Sequence, residues 1–317
     1  MSHMILKMKP VFQERLWGGE KLASRFNYSL PSDRIGECWG VSAHPHGESI
    51  VAEGECAGHS LSDLWKNERH LFGKYTDDAF PLLIKILDAA DDLSVQVHPN
   101  DAQAQELEGV PYGKTECWYV VEAEEGAELI IGHTARSENE LLDHINNGEW
   151  DRLLTRQPVT KGDFIFVPSG TVYAIGEGIV ILETQQSSDT TYRMHDFDRT
   201  DESGQTREIN LDKAMTVTTI PQEVVMPEVK AKQMKTAQIK RLVQVPEFNV
   251  YHVRATTGFK LRGIERFRAL TILSGKGSIG SLEVNTGDHL MLTKGTSYRI
   301  KGDLEWIMSD VPFTSST

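Results

Sequence analysis

The sequence predicts a mainly β protein: two related domains of jelly-roll or sandwich architecture, with a few short helices. Three observations lead there. Short apolar runs punctuated by Gly, Pro, Asn and Asp dominate the chain. One strand-turn-strand unit occurs twice. A stretch carrying Pro221, Pro227, Lys230, Lys232 and Lys235, with little apolar pattern, separates the copies.

Taken in order, Ser2-His3-Met4 reads as a cloning remainder, which puts the native start at Met4 and removes His3 from any ligand set. Helical periodicity is brief: Ser60 to Leu71 before Gly73, Asp101 to Glu108 before Gly109, and Leu211 to Met215. The repeated unit starts at Gly162-Asp163, continues through the apolar run Phe164-Ile165-Phe166-Val167, turns at Pro168-Ser169-Gly170 and leads through Tyr173 into a second strand. Gly287, Gly295 and Tyr298 match Gly162, Gly170 and Tyr173 at a constant offset of 125 positions. Upstream, the turns at Gly126 and Gly275 are 149 apart, and the excess of 24 marks an insertion in the first copy. A helix is expected in it, because Ser137-Glu138-Asn139-Glu140 is a capping-box pattern followed by Leu141, Leu142, Ile145, Trp150 and Leu153. The expected organisation is a first domain over 4–220 with a helical insertion near 137–156, a linker over 221–236 and a second domain over 237–317.

A formal net charge of -13 argues against nucleic acid and anionic membrane as partners, while leaving room for a small phosphorylated ligand held by a local cation. Cys38, Cys56 and Cys117 form an odd set without C-x-x-C spacing, and no apolar run approaches the roughly 20 residues of a membrane span. A reduced, cytoplasmic protein is expected, and no protein partner is implied.

Residues 95–118 carry the chemistry. Gln96 and His98 are two apart in Val95-Gln96-Val97-His98, so on a strand they share a face, and Glu116 follows in the same strand-rich region. Imidazole nitrogen and carboxylate oxygen suit a divalent zinc ion, and a site completed by water or substrate is catalytic rather than structural. A lysine and an arginine nearby then point to an anionic substrate. Cys117 directly follows Glu116, so it faces away from the cavity and is expected to be buried and inert. His44, His46, His59, His70, His133, His144, His252 and His289 read as surface or internally satisfied residues, and the six tryptophans as core or pocket wall.

The stretch from Gly162 to Tyr173 resembles the second cupin motif: a Gly, five residues, Pro, one residue, Gly, two residues and then a metal-binding His. From Lys9 to about Pro312 the chain resembles the short bacterial form of the type I mannose-6-phosphate isomerases (phosphomannose isomerases). The resemblance is carried jointly by Leu16-Trp17-Gly18-Gly19, Gly36-Glu37-Cys38-Trp39, Phe80-Pro81-Leu82-Leu83-Ile84-Lys85, Gln96 to Asp101, Gly113-Lys114-Thr115-Glu116, and Glu183 to Arg193. It implies cupin-type jelly-roll β-barrel domains; the second is expected to hold no metal, because Tyr298 occupies the matching place in a unit that lacks the Pro and any upstream His-Glu pair. It also implies an enzyme with one Zn(2+) per chain that interconverts mannose 6-phosphate and fructose 6-phosphate through an enediol. By the same resemblance the metal ligands fall on His98, Glu116 and Tyr173, with Gln96 as a further ligand, and the catalytic Arg, Lys and Asp fall on Arg193, Lys114 and Asp189.

Two positions depart from that pattern. Position 173 should be His and is Tyr, while position 195, usually Tyr, is His. Tyrosine binds zinc well only when its phenol, with a pKa of roughly 10, is ionised. If residues 191–196 are a strand, His195 shares a face with Arg193 and can supply the imidazole that position 173 lacks, directly or through water. Otherwise Tyr173 binds as a phenolate, or the ion is held weakly by three protein ligands. Weak metal binding also motivates the alternative of a non-catalytic cupin that binds a sugar phosphate. For catalysis, Lys114 and Arg193 would oppose charge on the enediolate or the phosphate, and Asp189 would position one of them or join a proton relay.

Overall fold

The computed structural model describes residues 4–200, 204–224 and 227–313. Ser2 and His3, read as a cloning remainder, lie outside the described residues, as do 225–226 of the expected linker and 314–317 of the expected second domain.

Three antiparallel sheets of seven, five and ten strands make up the molecule. In the seven-stranded sheet, Ile35–His44, Leu82–Ala89, Ile179–Gln186 and Glu116–Ala123 lie side by side. The Leu82 and Ile179 strands are buried at every position, which is why Leu82-Leu83-Ile84 and Ile179-Val180-Ile181-Leu182 run apolar without alternation. One face of this sheet presents Leu87, Trp118, Val120, Ile165 and Ile181 to Leu129, Ile131, Tyr173 and Ile175 of the five-stranded sheet. The other face packs Cys38, Ile84, Ile86, Cys117 and Leu182 with Val250, Ala269, Met291 and Ile307 of the ten-stranded sheet. Burying each large apolar side chain contributes on the order of 1.5–3 kcal/mol, so these two seams hold the sheets together.

Helices close the outside of the five-stranded sheet, where Leu141, Leu153, Ala214 and Val217 pack with Val95, Val97, Ile130 and Tyr192. Asp101–Glu108 carries a complete capping box between Asn100 and Gln103 and stops at Gly109 with φ 69°. Leu61–Asn67 is continued only by the 3-10 turn Arg69–Leu71. The helix expected over 137–153 is two, Glu138–Asn146 and Trp150–Leu153, because the chain turns at Asn147 and at Gly148 with φ 67°. Lys21–Phe26 is a helix the sequence did not announce. Its N-cap Glu20 makes no side-chain bond, and the cap is supplied from a distance by Asp88, which accepts the Lys21 N–H at 2.7 Å.

The repeat is visible in the backbone. Phe164–Val167 and His289–Leu292 begin 125 residues apart, Gly162 and Gly287 have φ 96° and 91°, and Gly170 and Gly295 both have φ 83°. The ten-stranded sheet is nevertheless not built from the second copy alone. Ile5–Lys9 pairs with His289–Leu292 and Ile50–Val51 pairs with Ile5–Lys9, while Lys230–Gln233, inside the stretch read as a linker, is an exposed edge strand on Ala237–Gln244. No helix among the described residues is long and apolar enough to cross a membrane.

Candidate active site

Two cross-strand rows face each other between the seven- and five-stranded sheets. On the seven-stranded side, Lys85 stands opposite Glu183 on one neighbouring strand and Trp39 on the other, and Glu116 stands opposite Gln185. On the five-stranded side, Gln96 lies between Tyr173 and Arg193. His98 follows directly after the strand Val95–Val97. The cavity between the rows is about 240 Å³ and is lined by Arg15, Glu37, Lys85, Gln96, Lys114, Tyr173, Glu183, Asp189, Arg193 and Arg207, with Trp17 and Trp39 as apolar wall. Five of those side chains are cationic and three acidic, which suits an anion despite the negative charge of the whole chain.

The floor is formed by His98, Glu116, Lys114 and Tyr173, all buried. The His98 Nδ1–H donates to the Thr190 carbonyl at 2.8 Å, leaving Nε2 as an acceptor that takes the Tyr173 hydroxyl at 2.7 Å and faces Lys114 Nζ at 3.0 Å. Burial, and then the Lys114 ammonium, push His98 well down, so its imidazole is neutral. Glu116 Oε2 stands 3.9 Å from His98 Nε2 and 2.6 Å from Lys114 Nζ, yet neither carboxylate oxygen meets hydrogen-bond geometry with a partner. Burial first, and then the neighbouring Glu183, push Glu116 up to about 8. Burial also pushes Glu183 up, but Lys114 and Lys85 outweigh it and hold that carboxyl low. Lys114 is the mirror case: burial pushes it down, Glu116 and Glu183 pull it back, and the net direction is up. The Tyr173 phenol is pushed far up by burial and then by Glu116 and Glu183. Above the floor, Lys85 Nζ bridges Glu37 at 3.8 Å and Glu183 at 3.7 Å and sits 4.9 Å from the Trp39 ring centre.

The expected residues divide into three groups. His98, Glu116, Tyr173, Gln96 and Lys114 are brought together, and Arg193, only partly buried, lines the same cavity. Asp189 also lines it, but its carboxylate bonds His44 and His46 rather than Lys114 or Arg193, which corrects its expected role as their positioner. His195 is not among the lining residues. A bulge sets three residues, Arg193 to His195, against two, so that Arg193 pairs with Gln96 while His195 pairs with Val95 on the opposite face. There its ring stacks on Trp150 at 4.6 Å. The expectation that His195 replaces the missing imidazole is therefore corrected. Cys117 faces the other seam and its thiol is pushed well up by burial.

Lys85, Glu37, Glu183, Arg15 and Arg207 were not singled out by the sequence reading. Lys85 and Glu183 had a signal, since each charged residue directly follows an apolar run, Leu82-Leu83-Ile84 and Ile179-Val180-Ile181-Leu182. Among the described residues, His44, His46 and Asp189 are the group of three His, Cys, Asp or Glu side chains close enough together to hold a metal ion.

Residues 5–135 match the family described as phosphomannose isomerase type I, catalytic domain. The chain is 45% identical to the mannose-6-phosphate isomerase ManA of Bacillus subtilis over 96% of its own length and 98% of that protein. It is likewise 45% identical to the mannose-6-phosphate isomerase of Streptococcus mutans, over 96% and 97%. It superposes on the crystal structure of the mannose 6-phosphate isomerase from Bacillus subtilis with a TM-score of 0.95 at 41% identity, covering 97% of this chain and 99% of that one.

Proposed function

Because the chain belongs to the type I mannose-6-phosphate isomerases and is a mannose-6-phosphate isomerase, we propose that it moves a proton between C1 and C2 of the sugar phosphate through an enediol, with zinc held at the floor of the 240 Å³ cavity. The observation that carries the metal assignment is the buried Glu116 carboxylate, which has the Lys114 ammonium as its ionic neighbour but no hydrogen bond of good geometry, beside a neutral His98 whose Nε2 is free of its own proton. The imidazole and the carboxylate fit a divalent ion, and His98 and Glu116 would hold it, with Gln96 in the same lining and the Tyr173 oxygen joining only as a phenolate, against the upward push of its burial. A bound zinc supplies Lewis-acid polarisation of the substrate oxygens.

The remaining roles follow from depth. Lys114, 3.6 Å from Glu183 and almost fully buried, stabilises negative charge on the enediolate oxygens in this reading, and we assign the proton transfer between the two carbons to the Lys114–Glu183 pair. Arg193, partly exposed in the same lining, binds the phosphate, for which a planar guanidinium is the better partner, while the neighbouring Arg207 is held on the Asp196 carboxylate and adds positive charge. Trp17 and Trp39 exclude water from one side. With all three cysteines free, the cytoplasm is the compartment we assign.

The test is isomerisation of mannose 6-phosphate in D2O by the full chain, before and after metal removal. Deuterium at C1 of the fructose 6-phosphate, with turnover lost on chelation and restored by zinc, is expected. Turnover that survives metal removal overturns the zinc assignment, and complete retention of the C2 hydrogen after many reversible cycles in D2O, when even a shielded base would have exchanged, overturns the enediol.

A further inference from the structure

His44 and His46 lie at the end of the strand Ile35–His44 and in the turn that follows it, and both reach the loop carrying Asp189. Asp189 is the residue shared by two cavities: the catalytic one, and a neighbouring cleft of about 750 Å³ lined by His44, Trp65, Arg69 and Tyr112. His44 Nε2 is 3.3 Å from Asp189 Oδ1, His46 Nδ1 bonds Asp189 Oδ2, and the three ligand atoms lie within 4.8 Å of one another. Two atoms each bonded at zinc distances in a tetrahedron are about 3.3 Å apart, so the observed spacing needs little contraction. We propose that His44, His46 and Asp189 form a second site for a divalent transition cation, distinct from the floor of the catalytic cavity, and that its occupation inhibits turnover.

Two imidazoles and a carboxylate favour Zn(2+), Co(2+) or Ni(2+) over Mg(2+) or Ca(2+). The carboxylate is ready for a cation: burial pushes Asp189 up, but hydrogen bonds from His44 and His46 outweigh this and hold it well below its ordinary range. Binding through His44 Nε2 moves that ring's proton to Nδ1 and opens the 3.3 Å contact from the His46 N–H, so the site is weaker than one with preset tautomers. Inhibition follows from the loop, an inference that rests on the isomerase reading. Asp189 lines the catalytic cavity, and the next residue, Thr190, accepts the Nδ1–H of His98. A cation that fixes Asp189 therefore acts one residue from the group that orients His98.

The experiment is equilibrium dialysis of the full chain against Co(2+), followed by isomerase assays over rising Zn(2+). His46→Ala removes an exposed ligand outside the catalytic set, and His44→Gln is the independent second variant. Wild type is expected to take up one more equivalent per chain than either variant, and excess Zn(2+) to inhibit wild type at least tenfold more strongly than His46→Ala. Equal uptake by wild type and both variants overturns the site. Equal inhibition overturns its effect on turnover. Loss of turnover in wild type at every zinc level would count against the isomerase reading, while the dialysis would still decide the site.

Discussion

At Arg193, Nε donates to Ser94 Oγ at 3.2 Å and Nη1 to the Glu208 carbonyl at 2.7 Å, so its guanidinium is anchored by groups other than His98 and Glu116. Arg193→Ala should lower kcat/KM by about 100-fold or more, with bound zinc measured by elemental analysis at the wild-type level; loss of both would make the residue structural. His195→Ala should leave zinc content unchanged and cost about 1 kcal/mol from the lost stack on Trp150, read from urea unfolding. His289 offers a pH prediction far from the metal. It is buried between Tyr28 and Thr271, and burial lowers it to about 3. An unfolded histidine titrates near ~6.5, so between those values the unfolded chain holds the extra proton. The contribution is complete above ~6.5 and is lost as pH falls, by up to about 1.4 kcal/mol per unit. His289→Gln should flatten the acid limb of stability against pH, and an unchanged slope would refute this. Single residues were legible where chemistry and spacing coincide, as at His98 and Glu116. They were illegible where a partner lies far along the chain, as with Asp189 and its two histidines.

Among elements, the strand Ile35–His44 depends on Gly40. A Cβ there would overlap the His289 ring across the seam between the seven- and ten-stranded sheets. Gly40→Ala should destabilise by about 1–3 kcal/mol through overpacking, visible as a lower denaturant midpoint with an unchanged m-value. The double variant Gly40→Ala/His289→Gln should recover little, because glutamine still fills part of that space. Elements with local signals were legible: the Asn100 cap and Gly109 stop, and the glycines at the paired positive-φ turns. The bulge between Arg193 and His195 was not, because alternation along a single strand contains no mark of where its partner loses a residue. The Lys21–Phe26 helix was hidden for a related reason, since its cap comes from Asp88.

For the molecule as a whole, the two seams of the seven-stranded sheet mean that the catalytic row and the second β unit share one scaffold. A chain ending before residue 237 would expose Cys38, Ile84, Ile86, Cys117 and Leu182, so it should be insoluble or aggregated by light scattering rather than an active fragment. A soluble, active fragment would show that the seam is dispensable. The repeat foretold two related β units, but nothing in the sequence foretold that Ile5–Lys9 would join the far sheet. That pairing orders events at the ribosome. Ile5 meets Leu292, 287 positions later, so translation delivers this strand long before its neighbour exists. Until then the nascent polypeptide carries an unfilled edge, and premature release would leave a species that chaperones must shield.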